Sequence, residues 1–175
     1  MVALPDEAEI TGYWREALVQ FDASLLGEIN IPVEARCFLQ TIGVPATFRE
    51  GLNWNIRVKP NPQITFLQRG NFRYAVFAEG EGETMICLEE PRGKVVATHD
   101  LDPKLTPMNT SVQSLVIYEL LLSRFLDQGR EVSQAERLRI LEVVKSQLLQ
   151  QDAAALADPD NWWSTFIEEL ETFDG

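Results

Sequence analysis

Histidine is almost missing from this chain: His99 is the only one. A metal centre or a catalytic triad would have to be assembled around that one imidazole. Its neighbours Asp100 and Asp102 stand too close along the chain to complete a convincing ligand set, so a turn residue at the end of a strand is the simpler reading. Cysteine is scarce too. Cys37 and Cys87 stand in apolar surroundings with 49 residues between them, which is neither a disulfide framework nor a metal motif. Two buried thiols packed as small hydrophobes are expected. No Gly-x-Ser-x-Gly occurs, so there is no nucleophile elbow. Gly80-Glu81-Gly82 joins two β-rich runs and places an acid where a phosphate would sit, so it reads as a hairpin turn. The adjacent carboxylates Glu89 and Glu90 suit acid/base work, but 27 acidic residues make such pairs by chance. No apolar run approaches the roughly 20 residues that span a bilayer. The N-terminus carries Asp6, Glu7 and Glu9 with no basic run ahead of an apolar core, so no signal peptide is expected and the protein is read as cytoplasmic. No enzyme, cofactor or metal is expected.

Positive charge is missing from particular places. Residues 1–30 hold six acids against Arg15 alone, and residues 152–175 hold seven acids and no base. Residues 31–151 balance at fourteen of each, so the net charge of −12 sits at the two ends of a neutral body. Such a chain has little to offer a phosphate backbone, which excludes direct nucleic-acid binding. It suits a basic partner, since a field of one sign raises the encounter rate, although solubility alone also accounts for acidic ends.

What is present is a well-punctuated globular chain of 175 residues, 45% hydrophobic, sized for one domain. Residues 6–21 predict a helix with Ile10, Tyr13, Trp14, Ala17, Leu18 and Phe21 inward. Residues 33–42 predict a second, with Ala35, Phe38, Leu39 and Ile42 inside and Gly43 and Pro45 ending it. Residues 46–63 carry turn formers and predict loop, with one short strand near 56–58, followed by a strand at 64–67. Three runs, 71–79, 84–89 and 94–98, separated by Gly80-Glu81-Gly82 and Pro91-Arg92-Gly93, predict an antiparallel meander. After a Pro-marked loop, Asn109-Thr110-Ser111 caps a long apolar helix over 112–126, with Glu119, Ser123 and Asp127 on its polar side. Ser133 and Glu136 form a capping box for a helix to about residue 150, with Ile140, Leu141, Val144 and Leu148 inward. Asp158, Pro159 and Asp160 open a last helix with the stripe Trp162, Trp163, Phe166, Ile167, Leu170 and Phe173.

These pieces have a counterpart. The strand Met85–Glu89, the turn and Val-rich strand Gly93-Lys94-Val95-Val96, and Asn109-Thr110-Ser111 opening an apolar helix resemble the SUKH superfamily of immunity proteins. So do Phe38-Leu39 with Gly43-Val44-Pro45, and the tail Asp152-Ala153-Ala154-Ala155-Leu156 leading to Trp162-Trp163 and Ile167-Glu168-Glu169-Leu170. The similarity spans about residues 33–170 and is nearest the fourth SUKH group. Thr110, Glu89-Glu90 and Val44 depart mildly from the family pattern, which more often has Ser, Asp and Leu there.

The fold expected is α+β: one domain, residues 1–175, with a largely antiparallel or mixed sheet of about four to six strands over 56–98. Helices from residues 1–45 and 110–173 pack it. The resemblance implies a bacterial immunity protein of a polymorphic toxin system that binds a cognate toxin, often a basic nuclease domain, and blocks it by occlusion; its oligomeric state is left open, with a monomer slightly favoured. The alternative is an acidic chaperone for a secreted effector, which would dimerise and hold an extended client; an enzyme built on a deep pocket at His99 ranks third. Candidate partner-binding residues are Trp54 in its loop, Trp163 at the edge of the last helix's stripe, and the acids Asp158, Asp160, Glu168 and Glu171. Trp162 is read as core.

Overall fold

The computed structural model describes residues 3–50, 53–58, 64–80, 83–99, 104–130 and 132–172. Helix α1 (Glu7–Trp14) opens on a complete capping box between Asp6 and Glu9. It is shorter than its periodicity predicts. Arg15 takes a left-handed φ of 46°, a 3₁₀ turn follows over Arg15–Ala17, and β1 (Leu18–Val19) then pairs with β2 (Val44–Pro45). Phe21 is buried as expected, but through this turn and not on a helix. A short helix α2 (Ala23–Gly27) leads to α3 (Val33–Thr41), whose predicted inner residues are all buried.

Gly43 ends α3 at a φ of 85°, and a Cβ there would lie 2.3 Å from the Val19 carbonyl oxygen. Both the backbone conformation and the close strand β1 require glycine at this position. Gly43→Ala is expected to cost about 2–4 kcal/mol in thermal unfolding, whereas Gly70→Ala is expected to cost about 1 kcal/mol. Gly70 shares the positive φ (58°) but faces open space, so it isolates the backbone strain from the collision.

Among the described residues the main sheet has seven strands in the order β3-β4-β6-β7-β8-β9, with β5 also on β6, all antiparallel. These are β3 (Thr47–Glu50), β4 (Asn53–Val58), β5 (Thr65–Arg69), β6 (Phe72–Glu79), β7 (Thr84–Glu89), β8 (Val95–His99) and β9 (Leu105–Asn109). The predicted meander is β6-β7-β8; Glu81 and Gly82 of its first turn lie outside the described residues. The segment from residue 46, predicted as loop with one short strand near 56–58, supplies β3 and a longer β4 that contains that strand, and the Pro-marked stretch supplies β9. β4 and β5 divide one edge of β6 between them, β4 meeting Ala78 and Glu79 and β5 meeting Phe72 to Val76.

A bulge in β6 opposite Cys87 and Ile86 turns both Phe77 and Ala78 toward the helices. The helix-facing side of the sheet, with Ala75, Ile86, Leu88, Val95, Ala97 and Met108, builds the main core. On the opposite side Tyr74, Val76, Cys87 and Val96 form a second, smaller cluster.

Helix α4 (Val112–Gly129) starts on Ser111, whose hydroxyl accepts from the Ser114 N–H. It is buried far beyond the predicted face, and Glu119 and Ser123 are fully buried. Neighbours on several sides explain this. α1 ties to its far end through Arg124 Nη1 to Glu9 Oε1 (3.0 Å) and the Tyr13 hydroxyl donating to Asp127 (2.7 Å). α5 (Gln134–Asp152), capped by Ser133, reaches it through Tyr118. A 3₁₀ turn over Ala153–Leu156 and α6 (Trp162–Thr172) complete the chain. The thiols differ from expectation: Cys87 is buried, and burial pushes it up to about 12, whereas Cys37 is exposed.

Candidate partner-binding surface

The C-terminal segment is held by a buried polar network. Asp152, the last residue of α5, accepts on Oδ2 from the Thr110 N–H (2.7 Å), the Thr110 hydroxyl (3.0 Å) and Asn109 Nδ2 (3.4 Å). Its carbonyl oxygen accepts from the Tyr118 hydroxyl at 2.7 Å. Asn109 in turn accepts on Oδ1 from Trp163 Nε1 at 2.8 Å. β9, α4, α5 and α6 therefore meet at one set of hydrogen bonds. Burial and the nearby Asp152 carboxylate push the Tyr118 phenol up, so it stays a donor.

This network settles the place of the tryptophans. Trp163 is fully buried against Tyr118 and Phe166, with ring centroids 5.5 and 6.2 Å away, and is not available to anchor a partner. Trp162, expected in the core, is half-buried and packs against the core's margin. The reason is helical phase: the inward stripe runs Trp163, Phe166, Ile167, Leu170, which leaves Trp162 on its flank. Phe173 lies outside the described residues. Trp54 falls in strand β4 and not in a loop, and its side chain lies outside what the structure describes.

Asp158 and Asp160 are exposed but do not open α6 as caps. Pro159 sits second in a turn closed by the Asn161 N–H to the Asp158 carbonyl (3.1 Å), while Asp158 Oδ1 accepts from the Asp160 N–H (2.9 Å). The helix begins at Trp162, three residues later than an N-cap at Asp158 suggests. Glu168 and Glu171 are exposed on α6. Glu171 is already engaged: Lys145 of α5 donates to it at 2.6 Å and to Glu142 at 3.1 Å. The hydrogen bond that Lys145 donates to Glu171 holds the ammonium above its usual range against the opposing effect of burial.

The other chemical candidates are structural. Glu89 pairs with Arg92 at 3.0 Å, and Glu90 accepts from the Asn30 N–H at 2.8 Å and faces Arg73 at 3.7 Å. His99 is exposed at the end of β8, with Nδ1 3.2 Å from the Thr84 hydroxyl; Asp100 and Asp102 lie outside the described residues. Among the described residues no group of three or more His, Cys, Asp or Glu is placed to hold a metal ion. Among the same residues no helix is long and apolar enough to cross a membrane.

Set beside known families, this architecture has a counterpart. The profile of the SUKH-4 immunity protein family matches residues 6–169. The chain belongs to that family. The match begins at α1, so the N-terminal helix is part of the SUKH-4 domain and the likeness is wider than residues 33–170. Comparison with curated proteins and with solved structures returned no match.

Sequence reading also passed over exposed apolar residues of α5. Leu138, Val143 and Leu149 of α5 are 36%, 49% and 50% exposed. The signal was available, since these apolar positions fall off the helix's inner face of Leu141, Val144 and Leu148.

Proposed function

We propose that this SUKH-4 protein binds a cognate toxin in the bacterial cytoplasm and neutralises it by occlusion, carrying out no reaction of its own. The observation that carries the reading is the family match over residues 6–169. The exposed acids Asp158, Asp160 and Glu168 support a positively charged partner surface, such as a nuclease domain that itself meets nucleic acid. They act by steering, raising the rate of encounter more than the lifetime of the complex.

The test is kinetic. Changing Asp158, Asp160 and Glu168 together to Lys is expected to slow association with the toxin, recovered from the native cell by affinity capture on this protein, about tenfold at low ionic strength and to flatten its salt dependence, with dissociation nearly unchanged. Glu171 is left out because reversing it would set two lysines against each other at Lys145. Association rates equal to those of the unaltered protein at every ionic strength would remove this acidic face from the interface.

A further inference from the structure

Among the described residues the main sheet ends on the edge strands β3, β5 and β9. An edge offers unpaired N–H and C=O groups to any other strand, so natural proteins interrupt or block it. β3 is short and irregular in register against β4, and β9 carries Pro107 beside another irregularity. β5 has neither device. Thr65 to Arg69 pair with β6 in unbroken register, and β6 is their only strand partner among the described residues.

The hairpin fixes which groups face outward. Gly70 and Asn71 form a two-residue loop, so the flanking residues Arg69 and Phe72 bond each other across the ladder. Bonding alternates along an antiparallel pair, which turns Leu67 and Thr65 toward β6 and leaves the N–H and C=O of Phe66 and Gln68 pointing away. Two contacts agree. The carbonyl of Arg73, opposite Gln68, accepts from the Glu90 N–H at 2.9 Å on the β7 side, and the Gln68 carbonyl meets Arg69 Nη1 at 3.5 Å, longer than a good hydrogen bond.

These outward groups are symmetric about Leu67, and the symmetry selects the occupant. A second copy laid antiparallel, with a two-fold axis at Leu67, sets Phe66 against Gln68 of that copy and Gln68 against its Phe66, so every outward N–H and C=O of these residues finds a partner. Leu67 then meets Leu67 of the second copy as a non-hydrogen-bonded pair, the closer kind, on the face where it packs against the cluster of Tyr74, Val76, Cys87 and Val96. Arg69 falls beside Thr65 of the second copy. Four residues at about 3.4 Å each keep the two Arg69 side chains about 14 Å apart, beyond the Debye length of about 8 Å. A parallel arrangement would instead stack arginine on arginine.

We propose that β5 is a homodimer interface, pairing antiparallel with β5 of a second copy about a two-fold axis at Leu67 and joining the two main sheets edge to edge. With one unguarded edge per chain, association closes at two copies. The pairing does not rest on the immunity reading, and it uses up the edge on which an extended client could add.

Sedimentation at rising protein concentration is expected to show a monomer–dimer equilibrium that tightens as salt rises, because each copy carries a net charge of −12. Gln68→Pro removes an outward N–H that β6 does not use, so the fold is kept and dimerisation is expected to weaken at least about tenfold. In a Cys37→Ser background, which removes the exposed thiol, Leu67→Cys is expected to oxidise to a disulfide-linked dimer. Thr65→Cys, whose two copies lie about 14 Å apart in this register, is expected to stay uncrosslinked. In the unaltered protein, amide exchange at Phe66 and Gln68 is expected to slow as concentration rises while that at Thr65, Leu67 and Arg69 holds steady, a reading that needs no variant. A monomer at every concentration, a dimer equally tight after Gln68→Pro, equal crosslinking through Thr65 and Leu67, or exchange at Phe66 and Gln68 indifferent to concentration would each overturn the proposal. So would an extended Glu-flanked peptide that slows exchange at Phe66 and Gln68 in a protein that remains monomeric, since the edge would then belong to an acidic strand of another protein drawn to Arg69.

Discussion

Asp152→Ala is expected to lower the unfolding free energy by about 3–5 kcal/mol and Tm by about 10 °C or more. The carboxylate is 6% exposed, and one of its oxygens accepts from a backbone N–H, a hydroxyl and an amide. Alanine leaves those three donors without their acceptor inside the protein. Hydrogen bonds to a charged group contribute about 1.5–3 kcal/mol each, but three that share one oxygen do not add. The loss is also topological, because this side chain fixes the end of α5 to the junction of β9 and α4. Asp152→Asn keeps an acceptor oxygen for Thr110 and gives up the charge, so about 1–2 kcal/mol is expected. Urea unfolding measures both. A loss below about 1 kcal/mol for alanine would mean that water enters and replaces the carboxylate.

The second large effect is at Trp163. Trp163→Ala removes a fully buried indole from contact with Tyr118 and Phe166 and is expected to cost about 3–5 kcal/mol. Trp163→Phe keeps much of the volume but leaves Asn109 Oδ1 without the indole N–H, for about 1.5–3 kcal/mol. Since Asn109 also donates to Asp152, combining Trp163→Phe with Asp152→Asn is expected to be non-additive by about 0.5–1 kcal/mol or more. The phenylalanine variant also separates core from interface. Once folded it is expected to associate with the toxin at an unaltered rate, whereas a partner anchor would lose most of its binding.

The sheet's centre was legible because its signals are local: glycine and proline turns delimit β6, β7 and β8, and Asn109-Thr110-Ser111 announces α4. Strands β3 and β9 were not, and of β4 only the end at 56–58 was. Asn53 and Asn55 are turn formers used inside a strand, and Pro107 sits in β9 opposite Val96, beside an irregularity in the ladder. β9 ends the sheet's path, where a missing N–H is tolerated. The burial of Glu119 and Ser123 was invisible for a related reason. Periodicity reports one apolar face and says nothing of a helix packed on several sides. Of the candidate surface, the acids could be read directly, but the capture of Glu171 by Lys145 joins residues 26 apart on different helices, and only the fold brings them together. Trp163, read at the edge of the stripe, lies at its centre, because residues 163, 166, 167 and 170 follow the i, i+3, i+4, i+7 spacing of one face and Trp162 precedes it by a step of 100°.

The claim that this SUKH-4 protein acts by binding, without chemistry, is tested most directly by titrating it into a fixed amount of its captured toxin and following the toxin's activity. Activity is predicted to fall linearly and reach zero near one equivalent, with active toxin recovered when the complex is dissociated. Lasting inactivation by a small fraction of an equivalent, or full toxin activity in the presence of excess protein, would contradict the account.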